Sequence, residues 1–159
     1  MKSALLTALL AAVAAPAATA NCRVSAEPMM FAPTGPVRSG RQIRMASVST
    51  LSLVQITCSG LRRETGYRLH LQSADGAAGG QWLRHVSNPE RMRVLLFKDA
   101  AFSQPWGNGT GGGSPMAGSA PAGDSRQTYV VFGRIPPEQG SLQPGRYQAR
   151  WTVRLEYVP

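Results

Sequence analysis

Residues 146–157 read RYQARWTVRLEY, and they decide the fold class. Every odd position from Tyr147 to Tyr157 is apolar, whereas the even positions carry arginine, glutamine, threonine or glutamate. This alternation is typical of a β-strand with one buried and one solvent-facing side. A second apolar run, 129–132, precedes it across a connection rich in proline and glycine. We therefore predict strand, turn and strand over 129–159, and we expect the last strand to find a pairing partner from elsewhere.

Residues 1–20 have the pattern of a secretory signal peptide. Lys2 is followed by an apolar stretch of about a dozen residues and by the small-residue cleavage pattern at 18–20. We predict a cut after this pattern and one exported domain, 21–159. A membrane anchor is disfavoured because a spanning helix needs roughly 20 apolar residues. A lipoprotein is disfavoured because an asparagine, and not a small residue, precedes Cys22.

The charge of the chain is strongly positive and comes almost wholly from arginine. Lys plus Arg total 17 against 8 Asp plus Glu, which gives a formal net charge of +9. Basic chains favour anionic partners, and an exported chain meets polysaccharides or lipid head groups more readily than nucleic acid. Because the sequence has no recognisable nucleic-acid motif, we expect no nucleic-acid partner.

Two cysteines, Cys22 and Cys58, remain after removal of the leader. In an oxidising compartment they are expected to form a disulfide. Closing a loop of about 37 residues stabilises the fold by roughly 3 to 4 kcal/mol on the chain-entropy model. Neither histidine, His70 nor His85, stands at ligand spacing from a cysteine, so no metal site is predicted.

The rest of the chain shows further strand patterns and no convincing helical period. We predict strands within 22–24, 43–58, 67–72 and 92–98, and we expect a central position for the last. In the second, the apolar residues change from even to odd positions, which indicates either a bulge or two short strands. Residues 110–124, rich in glycine, serine, proline and alanine, are predicted to be a flexible loop. Short strands separated by turns, with one disulfide, indicate an all-β sandwich of about six or seven strands.

Candidate catalytic groups are scattered. The carboxylates form no motif of paired acid and base, no nucleophile elbow is present, and His70 and His85 are expected at the surface. We therefore expect no catalytic residue, no cofactor and no enzymatic activity.

Several motifs together resemble the spore coat protein U domain, which is shared with subunits of archaic (Csu-type) chaperone-usher pili. The resemblance covers nearly all of 22–157. The residues that carry it are Cys22-x-Val24, Val54-x-Ile56-x-Cys58, Leu96-Phe97-Lys98-Asp99, Trp106-Gly107, Phe132-Gly133-Arg134-Ile135-Pro136 and Pro144-Gly145-x-Tyr147. In the family the Leu-Phe-Lys-Asp segment more often carries tyrosines, so this chain departs mildly from the pattern.

The resemblance implies an immunoglobulin-like sandwich that lacks its last strand. A hydrophobic groove then takes up a strand of a periplasmic chaperone and, after transfer at an outer-membrane usher, the donor strand of a neighbouring subunit. It implies passage through the periplasm to the cell surface or a fimbrium, with a role in adhesion or biofilm. The residues expected to border the groove or the chaperone edge are Trp151, Val153, Leu155 and Tyr157.

Two alternatives follow for the function. Only Asn21 lies between the predicted cut and Cys22, so we expect a subunit that accepts a strand and donates none, at a fibre tip or as a non-polymerising coat component. The competing interpretation is a freestanding secreted sandwich that binds an anionic polymer through its surface arginines.

Overall fold

The structure, a computed structural model, describes residues 21–32, 47–73, 81–137, 139 and 142–158. The predicted leader and the first part of the predicted strand 43–58 lie outside these ranges. Nine strands form in the described part of the chain: β1 Asn21–Ala26, β2 Val48–Leu61, β3 Thr65–Ser73, β4 Gln81–His85, β5 Arg91–Phe97, β6 Met116–Ala120, β7 Gly123–Ile135, β8 Tyr147–Gln148 and β9 Trp151–Val158.

The strands form two antiparallel sheets that face each other. One has the order β1-β2-β7-β5-β4-β8, and the other has the order β6-β3-β9. The predicted all-β sandwich with one disulfide is confirmed, although it has more strands than expected. In the described residues no helix has the length and apolarity needed to cross a membrane.

The longest pairing, between β2 and β7, runs without interruption from Val48 opposite Ile135 to Cys58 opposite Ser125. The prediction of a bulge or of two short strands is therefore wrong over 48–58. Apolar residues occur at both odd and even positions because the outer face of the sheet also carries apolar pairs, such as Leu51 opposite Phe132. Leu51 is 58% exposed. The one register shift in this pairing lies farther along, after Cys58.

One long side of the sandwich is closed by the segment around Trp106. The Trp106 N–H donates to the Leu96 carbonyl of β5, and its indole Nε1 donates to the Leu69 carbonyl of β3 at 2.9 Å. The Leu71 N–H in turn donates to the Gly107 carbonyl. Because Trp106 is buried and bonded to both sheets, this segment holds the two layers together.

The predicted strand 147–157 is interrupted. Residues 147–148 form β8 beside β4, which sequence reasoning did not assign, whereas β9 begins at Trp151 and pairs with β3 in the other sheet. The chain changes sheets at the exposed Ala149 and Arg150. The expected two strands flanking a connection are present as β7 and β9, and β9 pairs elsewhere, with β3, as expected. The expected single strand over 147–157 is wrong, because alternation along a chain does not show which sheet each part joins.

The prediction of a flexible loop over 110–124 is also wrong. Residues 116–120 form β6, which pairs with β3 and buries Met116 and Ala120. A Cβ on Gly118 would lie 2.2 Å from the Tyr129 hydroxyl and 2.7 Å from the Tyr67 hydroxyl. The small residues here allow close packing under two tyrosines, which composition alone cannot distinguish from flexibility.

Replacing Gly118 with alanine is expected to destabilise the fold by about 1–3 kcal/mol, because the added methyl overpacks a space bounded by two rigid rings. The melting temperature should fall by roughly 3–10 °C. Ala117→Val, at the neighbouring exposed position of the same strand, is the matched control and should leave it nearly unchanged. An unchanged melting temperature for Gly118→Ala would contradict the packing described above.

Candidate functional site

The other long side of the sandwich is open between two strand edges. β1 is the first strand of one sheet and pairs only with β2, and β9 is the last strand of the other sheet and pairs only with β3, as far as the described residues extend. Each therefore has one edge whose backbone N–H and C=O groups face no other strand. Such edges are templates for the addition of a further strand.

The two edges approach each other at one end. The Cys22 N–H donates to the Tyr157 hydroxyl oxygen at 3.1 Å, so the beginning of β1 lies beside the end of β9. Toward the other end of both strands, residues 26–29 and 149–153 are separated by a cleft of about 490 Å³. The gap thus widens from Tyr157 toward Trp151.

The floor of the cleft is the hydrophobic core itself. Core residues from both sheets contribute to it: Val54, Leu71, Leu96, Trp106 and Val131. Arg150 stands at the rim and is exposed. An apolar floor with few charges suits alternate apolar side chains of an entering segment, since burying one such side chain contributes about 1.5–3 kcal/mol.

The wall of residues 26–29 continues the pairing of β1. The Glu27 N–H donates to the Leu53 carbonyl at 2.9 Å, and the buried Ser52 hydroxyl donates to the Glu27 carbonyl at 2.7 Å. Sequence reasoning missed this wall because residues 26–29 show no alternation. Pro28 was the available signal, since proline lacks an N–H and is tolerated at the edge of a sheet.

The disulfide between Cys22 and Cys58 joins facing positions of β1 and β2. The predicted disulfide is present, and it fixes the edge strand on one side of the cleft to the sheet behind it. β1 therefore cannot swing across to pair with β9 without first detaching from β2.

The four residues predicted to border a groove lie along β9. Trp151 and Val153 line the cleft, Leu155 packs against the core, and Tyr157 reaches Cys22. The Trp151 Nε1 is buried and has no hydrogen-bond partner in the described structure. The Trp106 Nε1, on the floor of the same cleft, does have one.

The motif 132–136 supports the cleft from the six-stranded sheet. A Cβ on Gly133 would lie 2.3 Å from the Met29 sulfur and 2.8 Å from Phe31. Glycine at this position therefore lets the side chains of Met29 and Phe31 pack closely against β7. Arg134, next in the motif, lies with its guanidinium 5.4 Å from the centre of the Phe102 ring on the outer face.

The motif Pro144-Gly145-x-Tyr147 forms a separate cluster at the end of β4. The Tyr147 hydroxyl donates to the Glu90 carboxylate at 2.6 Å, and the Gln143 N–H donates to the same oxygen at 2.8 Å. These bonds hold the pKa of Glu90 below its ordinary value, and burial with the adjacent Glu90 raises the pKa of Tyr147 to about 12. The motif thus fixes the chain before it changes sheets.

The prediction that His70 lies at the surface is wrong. Its side chain is buried on the outer side of β3, with Nε2 2.5 Å from the Glu156 carboxylate of β9. His85 ends β4, with its ring edge-on to Tyr147 at 4.9 Å. In the described ranges no three His, Cys, Asp or Glu side chains are grouped as metal ligands.

Comparisons with known proteins agree with this geometry. The family model of the Spore Coat Protein U domain matches residues 6–154. Among solved structures, the chain is similar to a chain in the crystal structure of the CsuC-CsuE chaperone-tip adhesion subunit pre-assembly complex from archaic chaperone-usher Csu pili of Acinetobacter baumannii. That match has 19% sequence identity and a TM-score of 0.52, and it covers 86% of this chain but 40% of the other. No curated protein matches the sequence.

Replacing Glu90 with glutamine is expected to flatten the loss of stability in acid. Because the folded pKa of Glu90 lies below 4.5, the unfolded chain takes up the proton first as pH falls. Its contribution is therefore present above about pH 4.5 and lost as pH falls through the folded pKa.

Thermal unfolding measured from neutral pH down to about pH 2.5 checks this expectation. The wild-type chain should lose stability more steeply than Glu90→Gln. Glu27→Gln, which alters an exposed carboxylate that accepts no hydrogen bond in the described residues, is the matched control for the loss of one charge. Equal slopes for the wild type and Glu90→Gln would contradict the assigned role.

Proposed function

The chain belongs to the Spore Coat Protein U domain family, and from this membership and its open side we propose that it is a structural subunit of a chaperone-usher surface assembly. The observation that carries the proposal is the cleft between β1 and β9, which reaches the core between two unpaired strand edges. In this proposal the sandwich is incomplete, and a β-strand from another protein completes it.

Strand addition satisfies both requirements of the cleft at once. The backbone of an inserted strand pairs with the free edges of β1 and β9, and its alternate side chains reach the apolar floor. Trp151, Val153, Leu155 and Tyr157 form one edge of this acceptor site, and residues 26–29 form part of the other. Neither edge strand can take the place of the added strand, because β1 is held to β2 by the disulfide and β9 is paired with β3.

The proposed partners differ from one stage of assembly to the next. An open apolar cleft invites aggregation, so a periplasmic chaperone covers it in transit and an outer-membrane usher exchanges that strand for the donor strand of a neighbouring subunit. The proposed destination is the cell surface or a fimbrium, with a role in adhesion. The fold likeness to a chain of a chaperone-tip adhesion subunit complex supports this proposal.

The proposed role is structural and not enzymatic. Among the described residues, two carboxyl groups have lowered pKa values: a hydrogen bond from Tyr147 lowers that of Glu90, and hydrogen bonds from Ser103 lower that of Asp99. Neither lies in the lining of the cleft. Both carboxylates therefore act in local turns, where they accept hydrogen bonds that fix the backbone.

Fusing a strand to the C-terminus of the exported chain should stabilise it strongly. A flexible linker and ten residues of alternating valine and threonine can fold back along β9 into the cleft. We expect a rise in melting temperature of about 10 °C or more, since several valines become buried. If the chain alone unfolds without cooperativity, the fusion should restore a cooperative transition.

The matched control carries the same linker with proline at every second position of the added strand, which removes N–H donors and should abolish the gain. An unchanged melting temperature with the valine-threonine strand would overturn the proposal. Salt-sensitive binding of an acidic polysaccharide to the unfused chain would then favour a freestanding domain that binds anions through its arginines.

We also propose that the exported domain is 21–159 and that it accepts a strand without donating one. All of β1 from Asn21 onward is paired with β2, so residues 21–26 are not free to serve as a donor. A donor would have to come from residues before Asn21. The predicted cut after Ala20 removes them, which fits a tip or non-polymerising position.

The mass of the intact exported protein tests this boundary. We expect a mature N-terminus at Asn21, together with the 2 Da loss that a disulfide produces. Retention of ten or more residues before Asn21 would supply a donor segment and overturn the accepting-only role, while leaving the acceptor cleft unaffected.

A further inference from the structure

The indole N–H of Trp151 is a donor without a hydrogen-bond partner in the part of the chain that the structure describes. Its Nε1 is buried and unpaired, although Trp151 lines the cleft and packs against the core. Buried polar groups of native proteins are almost always hydrogen-bonded, and buried tryptophan N–H groups usually find an acceptor. The Trp106 Nε1 follows that rule through the Leu69 carbonyl.

The two ends of β9 differ in this respect. At the Tyr157 end, the edge of β1 already has a hydrogen-bond partner within the chain, because the Cys22 N–H donates to the Tyr157 hydroxyl. At the Trp151 end, the cleft is wide and the indole donor has no partner in the described residues. The residue with the unpaired donor therefore lines the wide end of the proposed acceptor site, although its Nε1 is itself buried.

The missing partner must be an acceptor, because an indole N–H can only donate. An extended segment presents backbone carbonyls at regular spacing along its edge, whatever its side chains are. A strand entering between residues 26–29 and 149–153 brings such carbonyls beside Trp151. Since the Nε1 has no solvent access in the open form, the surrounding wall must shift as the strand enters.

We propose that the Trp151 indole N–H donates to a backbone carbonyl of the inserted strand and so acts as a recognition residue of the acceptor cleft. This inference rests on the proposed function. The unpaired N–H raises the free energy of the open form, and the new hydrogen bond lowers the free energy of the filled form. Both effects favour insertion of the strand. Recognition of a backbone carbonyl also lets the chaperone strand and the donor strand use the same contact.

Trp151→Phe, made in the unfused chain and in the valine-threonine fusion, tests the proposal. The variant keeps an aromatic ring but removes the donor. In the unfused chain we expect a melting temperature that is unchanged or raised by about 3 °C, because an unpaired buried group is removed. In the fusion we expect a fall of about 3–6 °C, because a hydrogen bond is lost.

Trp106→Phe is the matched control, since its N–H is paired within the chain and its loss should lower both melting temperatures alike. In the NMR spectrum, the indole N–H resonance that disappears in Trp151→Phe is that of Trp151. In the fusion this resonance should move downfield and exchange slowly with solvent.

Two results would overturn the inference: equal shifts of the two chains on Trp151→Phe, or an indole resonance that is the same with and without the fused strand. Either can occur while the fusion still stabilises the wild-type chain, which leaves the proposed function standing. A fusion that gives no stabilisation at all instead refutes the proposed function itself.

Discussion

Two facing strand edges that cannot pair with each other govern this structure. β1 is bonded to β2 along its whole length and is held there by the Cys22 to Cys58 disulfide, while β9 is bonded to β3 in the opposite sheet. In the proposed function, an extended segment pairs with the backbone groups on the facing edges and covers the core residues beneath them. Within the described chain, the Tyr157 hydroxyl joins the two edges at one end.

On the opposite side of the sandwich, a segment of the chain itself closes the gap between the two sheets. There the segment at Trp106 and Gly107 lies between the layers and pairs with Leu96 of one sheet and Leu71 of the other. The indole N–H of Trp106 has a hydrogen-bond partner, whereas that of Trp151 has none among the described residues. The asymmetry between a closed and an open side is thus visible in the hydrogen bonds of two tryptophans.

Sequence periodicity predicted much of this fold but not how its parts are arranged. The strand β9 could be predicted because its apolar alternation involves only nearby residues, and the disulfide could be predicted because it depends on residue type. The sheet change at Ala149, the strand around Gly118 and the burial of His70 could not, because each depends on a partner distant in sequence. The wall at 26–29 was missed for the same reason, since its form comes from contacts with Ser52 and Leu53.

The family motifs contribute to the cleft through backbone geometry. Gly133 gives the side chains of Met29 and Phe31 room to pack on β7, and Met29 lines one edge of the cleft. Tyr147 and Glu90 anchor β8 beside β4, so that the chain leaves one sheet there and starts β9 in the other. Because the change of sheet comes directly before Trp151, this anchor positions the indole at the open end of the cleft. A motif distant from the site can therefore determine which residue lines it.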